Sequence, residues 1–261
     1  MSDTAAPAHA ERHFDLLANY APAKGAFDEL LSAAGEPREH YLPLLGHLDS
    51  LGPEELRRRA ETCRRLLHEG GITYNVYGDA RGMERPWQLD PVPFVIAAAE
   101  WHSLETALIQ RATLLNRVLA DCYGPQELIR SGRLPPALVF AQPDFLRPCH
   151  GIKPPRENYL HFYAADLARS PDGQWWVVSD RTNIPPGAGY ALANRLITSR
   201  LLPDPFRDGH VQRLAGFFRE VRNSLAQLAS RHTDNPRVVL LTPGPYNETY
   251  FEQAYLARYL G

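Results

Sequence analysis

The sequence predicts an α/β chain of α+β character, on three observations. Apolar residues recur at helical spacing over 53–68, 100–123 and 208–231. Between and after them lie alternating or β-branched runs at 72–77, 137–142, 159–169, 174–180 and 237–241. Two of those runs are joined by Ser170-Pro171-Asp172-Gly173, the chemistry of a tight turn, so they read as a hairpin.

Residues 1 to about 20 are rich in Ala, Pro and His and read as disordered. A short helix is predicted near 24–34. The helix over 53–68 is better marked. Pro53 suits a first turn, Leu56, Ala60, Cys63 and Leu67 form its stripe, and Gly70-Gly71 stop it. ITYNVY (72–77) reads as a strand, and GDARGMERPW as a turn into another short strand or loop. Leu104, Leu108, Leu115, Val118, Leu119 and Cys122 mark a helix over 100–123, closed by Gly124-Pro125. A short helix at 125–131 and a brief strand at 137–142 follow, then the hairpin. Helices at 188–202 and 208–231, a buried-type strand RVVLL (237–241) and a helix at 248–260 complete the chain. That last strand needs parallel neighbours joined by crossovers, so the chain reads as part of a longer protein or one whose partners lie on another chain.

Charged residues are 22% and the net charge is −2, so no strong pull toward nucleic acid or an anionic membrane is expected. No apolar run approaches the length of a membrane span, and the N-terminus has no secretory h-region. The three cysteines are far apart and form no CxxC pair, which argues against a zinc site or disulfide framework and for a reducing cytoplasm. Lys24 and Lys153 are the two lysines; the other basic residues are arginines.

The hairpin raises the chemical question. With a three-residue loop, Ser170 pairs with Gln174, Asp166 lies opposite Val178, and Asp180 is its diagonal neighbour on the same face. Such neighbours are about 7–8 Å apart, close enough for two carboxylates to share a hard cation. With a two-residue loop, Asp166 instead shares its face with Ser179 and Arg181, and Asp180 points away. The turn chemistry favours the first register. A capping Asp180 and an Asp166 paired with an arginine such as Arg169 is the plainer alternative.

Four stretches together carry a family resemblance: GITYNVYGD (71–79), LDPVPFVIAAAEWHSLETALIQRATLLNRVLADCYG (89–124), YLHFYAADLARSPDGQWWVVSDRTNIPPGAGYALANR (159–195) and VVLLTPGPYNETYFEQAYLARYLG (238–261). They resemble the circularly permuted type 2 ATP-grasp family, which includes relatives of glutathionylspermidine synthase. The resemblance implies a partial permuted ATP-grasp fold: N-terminal helices over 1–70, an ATP-grasp-like region over 71–235 with a central mixed or antiparallel sheet, and over 236–261 the truncated start of a Rossmann-like lobe. It implies ATP and Mg²⁺ as cofactors, and ligation of a carboxylate to an amine through an acyl phosphate, on a small molecule, peptide or polyamine. The remainder of the ATP-grasp protein, and a fused or associated helical domain, are the implied partners.

In ATP-grasp hairpins an Asp on the first strand and Glu-x-Asn on the second hold the metal. Asp166 matches the first. One branch of the family reads Glu-Asp-Asn where this chain has Ser179-Asp180-Arg181, so Glu has become Ser and Asn has become Arg. An arginine beside a divalent cation is repulsive and cannot become a ligand. Either Asp166 and Asp180 hold the metal with a rearranged loop, or Arg181 replaces its charge and touches phosphate or substrate. Another branch, often fused to a helical domain, resembles SDRTNIPPGAGY more closely. On this resemblance Arg181 and Asn183 meet phosphates or the acyl group, and the loop 185–187 shapes the wall of the site.

Other candidates follow. Lys153 and Gly187 are expected at phosphate. Thr242, Gly244 and Asn247 sit in TPGPYNE, where helix-start amides attract anions, although an Asn or Thr cap accounts for them equally. Asn75 and Tyr77 share a strand face with Thr73 and lead to Asp79, a candidate substrate wall that an exposed sheet face would match as well. Arg111 falls near an apolar stripe, where a buried ion pair or an anion contact competes with a plain surface role. Cys149-His150 is a weak nucleophile pair, because adjacent residues seldom point at each other. The rival function is a non-catalytic binding or assembly module that kept the scaffold after losing the Glu and Asn.

Overall fold

The computed structural model describes residues 14–74, 85–229 and 236–261. In chain order its helices are α1 (Leu42–Glu69), α2 (Ala98–Cys122), α3 (Glu127–Arg130), α4 (Pro136–Phe140), α5 (Ala188–Leu201), α6 (Pro203–Asp208), α7 (Ala215–Ala229) and α8 (Tyr250–Leu260). Strands β1 (Ala164–Arg169) and β2 (Trp175–Arg181) form one antiparallel pair. The mixture is the α+β class read from the sequence. The chain divides into two units, Met1–Val95 with Leu192–Arg213, and Ile96–Ala191 with Leu214–Gly261.

In the first unit α1 is bent at Gly52-Pro53, so its second stretch begins at Pro53 as the sequence predicts. Proline lacks the N–H an interior helical bond needs, and at a first turn that loss costs nothing. Leu44, Leu45, Leu48, Cys63 and Leu67 are buried along α1, with Leu192, Ala193, Ile197, Leu201 and Leu202 from the second segment. Trp87 Nε1 donates to Asn194 Oδ1 at 2.9 Å, and Val95 N–H to the Tyr41 hydroxyl at 3.0 Å. Ile72 and Tyr74 exchange backbone bonds with Trp87 and Arg85, both at 3.0 Å, which makes an isolated antiparallel bridge at Thr73 and Pro86; the rest of the expected strand, 75–77, lies outside the described residues. Asn75, Tyr77 and Asp79 lie outside the described residues.

The helix expected over 24–34 is absent. Asp28 Oδ1 accepts the N–H groups of both Leu30 and Leu31, so its side chain captures amides that a helix would have bonded internally.

In the second unit 137–142 is not a strand: it lies in and just beyond α4, where Pro136 stands at the first turn of the helix. The first strand of the hairpin starts at Ala164 rather than Tyr159. Asn116 on α2 explains this, since its Oδ1 accepts from Tyr159 N–H at 2.8 Å and Leu160 N–H at 2.9 Å, and its Nδ2 donates to Glu157 O at 3.1 Å. Those amides cannot also serve a ladder. The helix expected over 208–231 starts only at Ala215, as Gly209 closes α6 by donating to Pro205 O; its expected last residues, 230–231, lie outside the described residues. RVVLL (237–241) forms no ladder among the described residues, and Val239 and Leu241 are 78% and 94% exposed. A strand exists only by pairing, and no described strand lies beside it. No helix of the described residues is long and apolar enough to cross a membrane.

Candidate functional site: a hairpin with two arginine-held aspartates

The turn forms as its chemistry requires. Gly173 has φ +83°, which glycine alone adopts without cost. Its N–H reaches Ser170 O at 2.8 Å, and Ser170 N–H reaches Gln174 O at 2.9 Å. Near the turn the three-residue-loop register holds, with Leu167 opposite Val177. The ladder then shifts between Asp166 and Leu167, and Asp166 pairs with Ser179, Ala165 with Asp180 and Ala164 with Arg181. Val178 is the extra, bulged residue, and a bulge changes which residues face each other beyond it. The shared face expected for Asp166 and Asp180 is therefore not formed.

One face of the hairpin meets α2. Asp180 lies there in a two-pronged arginine contact: Arg111 Nε donates to Oδ1 and Nη2 to Oδ2, both at 2.6 Å. The Tyr163 hydroxyl donates to the same Oδ1 at 2.7 Å. Arg111 is thus an ion-pair residue. On this face Glu100 of α2 also accepts from Arg169 and from Trp175 Nε1. The Arg111 hydrogen bonds hold the Asp180 carboxyl below the usual carboxylate range. Burial, then the bond to Asp180, pushes Tyr163 up to about 12. The folded protein therefore holds this proton more tightly than the unfolded chain, so the associated stability is full below pH 10 and is lost as pH rises through about 12. Asp180→Asn is expected to move the Tyr163 pKa back toward 10, read by ultraviolet titration against a Tyr163→Phe control. An unmoved pKa would show that Asp180 does not act on the phenol.

The opposite face is exposed and carries Asp166, Ser179 and Arg181. Asp166 Oδ2 accepts from the Ser179 hydroxyl and from Arg181 Nε at 2.9 Å, and Arg181 Nη2 lies 2.9 Å from the same oxygen. The Arg181 bond, then the Ser179 bond, lowers the Asp166 pKa. Each aspartate is committed to an arginine, and the two lie on different faces. No group of three or more His, Cys, Asp or Glu able to hold a metal occurs among the described residues. Asp166 and Asp180 do not fit a shared cation.

The loop after β2 is held from elsewhere. Glu252 on α8 is 4% exposed, and its carboxylate accepts Gly187 N–H with both oxygens and Gly189 N–H with Oε1, all at 2.8 Å. A carboxylate at the start of α5 suits the positive end of that helix. The Gly187 amide expected at phosphate is thus bonded to the protein's own carboxylate. Nothing in the sequence pattern assigns Glu252 to this loop. Its signal was a glutamate in the first turn of the last helix, which alone does not say what it reaches.

TPGPYNE closes on itself. Asn247 Oδ1 accepts from Thr249 N–H at 3.0 Å, Thr249 Oγ1 at 2.9 Å and Gln253 Nε2 at 2.9 Å. Thr242 Oγ1 bonds Gln253 and accepts Gly244 N–H at 3.1 Å. Asn247 and Thr242 each close a local side-chain turn two residues on, ahead of α8, whose own N-cap Thr249 makes no side-chain cap bond. Lys153 and Asn183 are exposed. His150 bonds Gly124 O at 2.9 Å rather than Cys149.

Comparison with known proteins gives this arrangement its lineage. The circularly permuted ATP-grasp type 2 family is matched over residues 93–261. The chain belongs to that family. It is 40% identical over 245 residues to uncharacterized protein sll0335 of Synechocystis sp., covering 94% of this chain and 51% of the relative. It is 38% identical over 243 residues to uncharacterized protein Rv2567 of Mycobacterium tuberculosis, covering 90% of this chain and 28% of the relative. Uncharacterized protein Rv2411c of the same species is 36% identical over 236 residues, with 90% and 42% covered. The chain spans about half the length of the first relative and less of the other two. ATP-grasp proteins generally bind ATP with Mg²⁺. Ser179 and Arg181 stand where the resemblance puts the metal-binding Glu and Asn of a family hairpin, and they share a face with Asp166.

Proposed function

We propose that the complete protein is an ATP-dependent carboxylate–amine ligase acting through an acyl phosphate. The observation that supports this most is the family hairpin itself, whose exposed face gathers Asp166, Ser179 and Arg181. In this reading a substrate carboxylate oxygen attacks the γ-phosphorus of ATP and ADP leaves. The nitrogen of an amine then attacks the acyl carbon and phosphate leaves. Exposed Arg181 and Asn183 meet the phosphates or the acyl group, and the loop held by Glu252 forms part of the wall. Lys153, also exposed, is the lysine nearest in sequence to the hairpin and is assigned to phosphate. The work is that of a cytoplasmic enzyme on a small molecule, peptide or polyamine.

A second reading has its own support. Both hairpin aspartates are held by arginines, as expected of a binding or assembly module that has kept the scaffold. Incubating the complete protein with ATP, candidate carboxylic acids and hydroxylamine separates the two. The ligase gives ADP and a hydroxamate that depend on the acid. Nucleotide binding without either product in any acid tested leaves the module reading.

A further inference from the structure

The metal that the family implies and the residues on this hairpin disagree, and the disagreement is built into the register. The bulge at Val178 turns Asp180 to the α2 side, where Arg111 and Tyr163 use three lone-pair directions of its carboxylate. Only Asp166 remains on the exposed face as a carboxylate. One of its oxygens already receives Ser179 and Arg181, so a divalent ion there would sit beside a permanent positive charge. Arg181 is half-exposed, and its Nη1 group meets no protein acceptor among the described residues. A planar guanidinium with donors left over, steadied by one carboxylate, is suited to phosphate oxygens.

We propose that this hairpin recognises polyphosphate through the Arg181 guanidinium, with Asp166 as its counter-carboxylate, and that no divalent ion bridges the hairpin to the phosphates. The inference rests on the ATP-grasp reading above. Asp166 is a positioning residue that holds Arg181 on the exposed face, and its own charge opposes an incoming phosphate.

The test is ATP and tripolyphosphate binding by calorimetry on the complete protein, in EDTA and in Mg²⁺, with the melting temperature of each variant recorded. Binding persists in EDTA. Arg181→Met weakens it about tenfold, the loss of one charge-assisted contact. Asp166→Asn strengthens it, because a negative charge beside the phosphates is removed; a metal ligand at this position would give the opposite sign. The double variant Ser179→Glu with Arg181→Asn restores the family's carboxylate and amide, and gains Mn²⁺ binding by loss of the free-ion paramagnetic resonance signal. Binding that needs Mg²⁺, falls with Asp166→Asn and ignores Arg181→Met overturns the inference while leaving the ligase reading standing. Mn²⁺ binding by the unaltered protein that Asp166→Asn abolishes also overturns it. No binding of ATP or tripolyphosphate in any condition overturns both.

Discussion

Glu252→Leu is expected to cost about 3 kcal/mol of folding stability, the scale set by leaving buried donors without acceptors. Glu252 is almost fully buried and is the acceptor for Gly187 and Gly189 N–H. Leucine ends one bond short of the carboxylate oxygens but has comparable bulk, so the change removes hydrogen bonds more than volume. Both amides lie at the start of α5, where the free N–H groups of a helix need acceptors. Urea unfolding gives the magnitude, and amide hydrogen exchange at Gly187 and Gly189 gives the location. Glu252→Gln is expected to fall between, because one amide oxygen still accepts while its NH₂ group faces a donor. A leucine variant as stable as the parent, with unchanged exchange at the two glycines, would show that the carboxylate does not hold this loop.

Where an element's instructions are local, the sequence was a reliable guide. Pro53 opens the second half of α1, the stripe from Leu104 to Cys122 makes α2, and Ser170-Pro171-Asp172-Gly173 makes its turn. It failed where a side chain intercepts backbone. Asp28 takes the amides of the expected 24–34 helix, and Asn116 takes those of Tyr159 and Leu160. Neither capture is visible without knowing which chain segment lies nearby. The candidate site shows the same limit. Its residues were named from pattern and family, but their faces were not, because one bulged residue inverts the parity of every side chain beyond it. Nothing in Val177-Val178-Ser179 distinguishes a regular strand from a bulged one. From the sequence Arg111 is an arginine near an apolar stripe; spacing does not reveal its partner Asp180, 69 residues away. Glu252 is the extreme case, since its partners are backbone amides and carry no sequence identity beyond Gly.

Gly189→Ala is expected to destabilise by about 2 kcal/mol, although alanine is the better helix former. The two effects have opposite signs, and the geometry decides between them. A Cβ at position 189 would stand 2.8 Å from Glu252 Cγ, nearer than two such carbons can sit, while Glu252 Cα at 3.4 Å is at ordinary contact distance. Glu252 is pinned by its own hydrogen bonds to Gly187 and Gly189, which would have to stretch to relieve the overlap. The double-mutant cycle with Glu252→Ala isolates this contact. Once the Glu252 Cγ is gone, alanine at 189 meets little resistance, and its propensity should make the substitution neutral or stabilising. The coupling between the two sites should then approach the whole single-variant loss. Equal costs for Gly189→Ala in both backgrounds would mean that position 189 is glycine for a reason unrelated to Glu252, and the close approach of α8 to the start of α5 would lose its energetic role.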